Sequence, residues 1–154
     1  MFREMRKQER KMGDSEAVKY LQNGEYGVLS TIGEDGYPYG VPVNYVYKDG
    51  EIFFHCATTG HKLDNLDFNN KVSFCVVSEA SVVADEFGTK YRSIIAFGRV
   101  KELRDEDKNM VLNLICERFS PEYIKESKDY IKKGFAAAKT YKIIVEHLSG
   151  KKAR

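Results

Sequence analysis

Tyr37-Pro38-Tyr39-Gly40-Val41-Pro42-Val43-Asn44-Tyr45-Val46-Tyr47-Lys48 is the stretch that decides the fold. Tyr37, Tyr39, Val41, Val43, Tyr45 and Tyr47 take successive odd positions, so one face of an extended segment is apolar from end to end. The even face holds Pro38, Gly40, Pro42, Asn44, Val46 and Lys48. Proline lacks the N–H that a sheet interior needs, so Pro38 and Pro42 place their part of the strand at an edge, a bulge or a split. Asp49-Gly50 suits a type I′ hairpin turn, and Glu51–Ala57 returns as the next strand.

Upstream, Tyr26–Ile32 reads as a strand that ends in the turn residues Gly33-Glu34-Asp35-Gly36. A helix before it starts with Asp14 or Ser15 as N-cap and carries Val18 and Leu21 on one face. Asn23-Gly24 ends it, both residues tolerating a left-handed conformation. Downstream, Thr58-Thr59 caps a short helix over about residues 60–69, and Lys71–Ser78 and Tyr91–Leu103 are strands. The acidic run Asp105-Glu106-Asp107 opens a helix whose buried stripe is Met110, Val111, Leu114 and Ile115. After the break at Ser120-Pro121, Ile124, Ser127, Tyr130 and Ile131 share one side of a further helix that Gly134 ends. Thr140–Leu148 is the closing strand.

This layout is mainly β with flanking helices: a six-stranded antiparallel sheet closing into a barrel of Greek-key type. Residues 1–154 form a single domain, with an N-terminal arm over 1–12 and a helical insertion over 104–134 before the last strand. Charged residues are 31% and the net charge is +2, which leaves no electrostatic footprint for nucleic acid. No apolar run approaches a membrane span. Cys56, Cys75 and Cys116 sit inside apolar runs without a C-x-x-C pair, which points to a reducing compartment, the cytoplasm.

Chemistry concentrates in Phe54-His55-Cys56-Ala57-Thr58-Thr59-Gly60-His61-Lys62, where a strand runs into the opening of a helix. Backbone N–H groups at a helix start attract anions, and Lys62 adds a full positive charge. The stretch reads equally as a phosphate cradle or as a capped helix with a solvated lysine. His55, Cys56 and His61 match no zinc spacing, so no metal site is expected. Gly40 and the two prolines leave little bulk on the even face of their strand, room for a flat ring to approach the main chain.

Tyr26-Gly27-Val28-Leu29-Ser30-Thr31, Asp35-Gly36-Tyr37-Pro38-Tyr39-Gly40-Val41-Pro42, Phe54-His55 and Gly60-His61-Lys62-Leu63-Asp64 resemble the nitroimidazole-resistance proteins. These belong to the FMN-binding split-barrel superfamily that includes pyridoxamine 5′-phosphate oxidase. The opening Phe2-Arg3-Glu4-Met5-Arg6 and the ending Val145-Glu146-His147-Leu148 are similar to the same subgroup. The resemblance implies FMN as cofactor and a homodimer with its sites at the interface. It implies that Val41, Pro42, Val43 and Asn44 run along the flavin ring and that His55 and Cys56 lie beside it. His61 and Lys62 would hold the phosphate, with Ser93 and His147 near the ring. His61 stands where an arginine is common in the oxidases, which puts more of the phosphate charge on Lys62.

The function so implied is an FMN-dependent oxidoreductase that takes electrons from an external donor and reduces a small aromatic or nitro compound. His55 is its candidate proton donor. A non-enzymatic flavin-binding or stress-related redox module, or a haem-binding split barrel using His55 or His147, shares the same residues. The chain lacks the basic C-terminal segment with which the oxidases grip substrate phosphate, which argues against pyridoxamine phosphate oxidation.

Overall fold

Residues 39–45 alternate as expected, Tyr37 lies outside the strand and is exposed, and Tyr45 divides the stretch into two strands. The computed structural model describes residues 1–154 and contains seven strands in one antiparallel sheet. They are β1 (Tyr26–Ile32), β2 (Pro38–Asn44), β3 (Val46–Lys48), β4 (Glu51–Cys56), β5 (Lys71–Val83), β6 (Gly88–Leu103) and β7 (Lys139–Ala153). Their spatial order is β2-β1-β5-β6-β7-β4-β3. The two ends of that order, β2 and β3, are separated in the chain by Tyr45 alone. The sheet therefore closes on itself through the chain, a barrel split at one residue.

Seven strands stand where six were expected because the chain changes partner at this point: β2 pairs with β1, and β3 with β4. Tyr45 is pinned inward at the corner. It is 1% exposed, its ring meets Phe74 edge-on at 5.0 Å, and its hydroxyl donates to the Leu21 carbonyl. β2 is a sheet edge and carries both Pro38 and Pro42, where their missing N–H groups cost no ladder bond. Asp49 and Gly50 have φ of 51° and 81°, the positive pair a type I′ hairpin requires.

Helix α1 (Asp14–Asn23) has Gly13 as its N-cap, with Asp14 as the first helical residue. Gly24 is extended, with φ −70° and ψ 148°, and not left-handed. Its role is space: a Cβ there would lie 2.2 Å from the Tyr45 hydroxyl oxygen. Helices α2 (His61–Phe68), α3 (Asp105–Phe119) and α4 (Ile124–Gly134) complete the chain, the last two lying between β6 and β7. Their buried faces differ from the sequence reading. Val111 and Leu112 are buried in α3 while Met110 is exposed, and Ser127 and Ile131 are buried in α4 while Tyr130 is exposed.

Leu29, Ile52, Phe54, Phe74, Ile94 and Ile143 fill the barrel, joined by Leu21 from α1 and by Leu63 and Leu66 from α2. Asn65 of α2 is buried and donates to the Thr31 hydroxyl at 2.9 Å, fixing that helix against the end of β1. A smaller cluster of Phe53, Leu103 and Val111 lies between β4 and α3. β4 is thus covered on both faces, and the two faces lead to different places. No helix is long and apolar enough to cross a membrane.

Candidate functional site

β4 ends at Cys56, and the chain turns into α2 through Gly60, whose φ of 147° is open to glycine and strained for other residues. Gly60, not Thr58 or Thr59, is the N-cap, and no side chain caps the helix. Glycine has none to offer, so the helix start is left open to a ligand. Beside it lies a cavity of about 190 Å³ whose walls include Tyr39, Val41, Cys56, Thr59, His61 and Lys62. The Tyr39 ring stacks on His61 at 4.0 Å and 27°. None of the chain's ion pairs uses Lys62. Asp64, in the same first turn, does not line the cavity. An uncapped helix start, an unpaired ammonium and a small enclosure fit a phosphate group.

The four β2 residues whose backbone is expected along the ring alternate in side-chain direction. Val41 lines this cradle, Val43 is buried in the core, and Pro42 and Asn44 point outward, as strand alternation requires. The Asn44 amide donates to the Glu25 carbonyl at 2.9 Å. Outward too are Ser93 and His147. Strand register sets Pro42, Val28, Cys75, Ile95 and Ser149 in one row across the sheet, with Gly40, Ser30, Ser73, Phe97 and His147 in the next.

Ser93 and His147 line a second cavity, of about 500 Å³, with Arg3 and Met5 of the N-terminal arm on its other side. Phe2 stacks on His147 at 4.9 Å and on Phe97 at 5.4 Å. The arm is tied down by the Met12 amide, which donates to the Gly150 carbonyl at 2.8 Å, and by a bridge between Lys11 and Lys151.

His55 is on the other face of β4 from Cys56, the face of Phe53. It lines a third cavity, of about 420 Å³, against the α3–α4 hairpin. Partial burial, and secondarily the Lys62 ammonium, hold its imidazole below the usual histidine range. Burial pushes the Cys56 thiol up, with Lys62 and Lys139 opposing. Both groups are therefore neutral at neutral pH.

One chain thus brings together Val41, Cys56, His61 and Lys62, and groups Ser93 with His147 elsewhere. His55 stands alone behind β4. The sequence reading missed Tyr39 over His61 and Phe2 over His147. Tyr39 carried a signal, since it sits two residues before Val41 on the same face of the strand; Phe2 carried none.

A sequence model of the family described as pyridoxamine 5′-phosphate oxidase matches residues 13–152. The chain belongs to that family. Comparison with curated protein sequences gives no match. Among solved structures, a candidate 5-nitroimidazole antibiotic resistance protein from Bacteroides thetaiotaomicron aligns with a TM-score of 0.72 at 20% identity, over 92% of this chain and 85% of its own. A FAD-binding protein from Mesorhizobium loti aligns at 0.66 and 24%, over 94% and 98%. A FAD and haem binding protein from Mycobacterium smegmatis aligns at 0.82 and 20%, over 94% and 74%. At these identities the likeness establishes a shared barrel, the one the strand order describes.

Proposed function

We propose that this oxidase-family barrel binds FMN and works as a homodimeric oxidoreductase, passing electrons from an external donor to a small aromatic or nitro compound. The observation that carries the reading is the uncapped start of α2, with Lys62 free of any ion pair, at the mouth of a phosphate-sized cavity. The flavin-binding relatives agree with it. A small cradle suits the terminal phosphate of a mononucleotide better than an internal diphosphate.

The residues divide the work. Lys62 and the first N–H groups of α2 neutralise and orient the phosphate, and Tyr39 holds His61 in the wall beside it. Cys56, its thiol protonated, is packing and not a nucleophile. A bound flavin supplies the redox chemistry. His55, on the opposite face of β4, is neutral at neutral pH, offers a hydrogen bond in the cleft against the α3–α4 hairpin and acts as an acid only as the pH falls.

The dimer rests on the outer sheet face. Val28, Ile95 and Phe97 are 36%, 40% and 38% exposed in adjoining rows, a contiguous apolar surface that a second copy covers. In a twofold pair built on this face, Pro42, Asn44, Ser93 and His147 of one chain can serve a cradle on the other.

Titration of the full chain with FMN tests the reading. Quenched flavin fluorescence and a raised Tm are expected. Lys62→Ala should weaken binding by roughly tenfold or more, the scale of one charge-assisted hydrogen bond lost. No quenching and no Tm rise in excess FMN would overturn it. A haem reading has the haem-binding relative behind it; a Soret band without flavin bands in purified protein would replace flavin with haem.

A further inference from the structure

We propose that the cleft between β4 and the α3–α4 hairpin is a binding site for a small planar aromatic molecule, neutral or singly anionic. Its floor is apolar: Leu112 and Ile131 are 9% and 7% exposed, and Ile115 and Cys116 are half-buried beside them. The opening is edged by His55, Tyr130 and Lys133. A volume of about 420 Å³ lies within the range of small-molecule sites.

The chain leaves this space empty through its choice of side chains. Where the hairpin returns toward the sheet, the lining residues are Gly134, Ala137 and Ala138, and a Cβ added at Gly134 would meet nothing within 4 Å. Side chains this small leave the cleft open at the surface, where Ala137 is itself exposed. The ring of Tyr130 is 76% exposed and stacks on no other aromatic ring, so it is free to cover a flat ligand.

Charge sets the class of ligand. No carboxylate lines the cleft, and Lys133 is its one formal charge. Asp129 pairs with Lys133 at 2.9 Å, but both side chains are largely exposed, so that pairing is weak and leaves the ammonium available. His55 and the Tyr130 hydroxyl add neutral hydrogen-bonding groups. A cationic ligand finds no counter-charge here and is repelled by Lys133. Binding needs no flavin. If the flavin reading holds, His55 is the immediate neighbour in β4 of Cys56 in the cradle wall, and the cleft becomes the seat of the electron acceptor.

The test is an NMR titration of the flavin-free full chain with benzoate, benzamide and benzylammonium, repeated with FMN present. Benzoate and benzamide should saturate, with shifts centred on His55, Ile131 and Ala137. Benzylammonium should bind at least about tenfold more weakly. Ala137→Trp occupies the cleft from an exposed position, so Tm should hold while both ligands are lost. Lys133→Gln should weaken benzoate and spare benzamide. Absence of saturable binding by either favoured probe, equal binding of benzylammonium, or unchanged binding in Ala137→Trp overturns the proposal. Because the titration is read without FMN, failure to bind flavin would leave its result standing.

Discussion

Two histidines of this barrel lie under aromatic rings, and the two stacks are secured differently. His61 sits under Tyr39 at 4.0 Å, and His147 under Phe2 at 4.9 Å. Tyr39 belongs to β2, hydrogen-bonded along its length to β1, and His61 opens a helix anchored by Leu63, Leu66 and the Asn65–Thr31 bond. Both rings are therefore carried by backbone that cannot move without opening the barrel. Phe2 belongs to a terminal segment without regular structure through residue 7 and without a buried residue before Met12. Its only ion pair, Glu4 with Lys11 at 3.8 Å, is exposed and contributes little. Stacks of similar geometry therefore have different persistence. The first is part of the fold; the second is a cover that can lift.

The largest effect should come from breaking the fixed stack. A stacked aromatic pair contributes about 0.5–1.5 kcal/mol beyond its buried area, so Tyr39→Ala should weaken FMN binding by up to roughly tenfold. Tyr39→Phe, which keeps the ring, should leave it near normal. If both variants bind FMN alike in a fluorescence titration, the ring is packing alone and does not order the cradle.

The lifting stack predicts a different signature. Deleting residues 1–7 should shift stability by less than about 1 kcal/mol, since the segment buries little and its ion pair is exposed. Carbethoxylation of His147 should accelerate several-fold, while His61 keeps its rate. Mass spectrometry of the modified chain reads both histidines at once. Equal acceleration of the two would mean that the arm supports the whole barrel, and the contrast between the stacks would vanish.

The same distinction explains what the sequence could reveal. Elements that bury one face leave a period: β1, the β2–β3 stretch and α2 stood within a residue or two of where alternation and capping residues put them. The break at Tyr45 was hidden, because an inward side chain keeps the alternation while the hydrogen bonds change partner. The outer parts of β5 and β6 were hidden for the opposite reason. From Ser78 to Lys90 the hairpin runs beyond the core, with Val82 and Phe87 78% and 98% exposed, and so carries no burial pattern. At the site, the sequence marked Lys62 and His61 as the head of a helix. Strand alternation sets Cys56 and His55 on opposite faces of β4, yet the family likeness drew both toward one ring. Contacts between distant segments, Phe2 on His147 above all, leave no local trace.

The smallest effect is electrostatic and concerns the wall between cradle and cleft. The His55 imidazole is held below the usual histidine range first by partial burial and then by Lys62. A histidine whose folded pKa is depressed takes up its proton later than in the unfolded chain. Its contribution to stability is therefore full above the unfolded pKa and falls away as the pH drops from there toward the folded value. Lys62→Ala removes the secondary cause alone. The His55 titration, followed by the C2 proton resonance, should move part of the way back up and stop short of an ordinary histidine, because burial remains. A turnover limb that depends on the His55 imidazolium should rise with falling pH in the wild-type chain, begin at higher pH in Lys62→Ala with FMN saturating, and disappear in His55→Ala. If the resonance does not move when Lys62 loses its charge, the two cavities are electrically separate, and His55 answers to the helical hairpin rather than to the cradle.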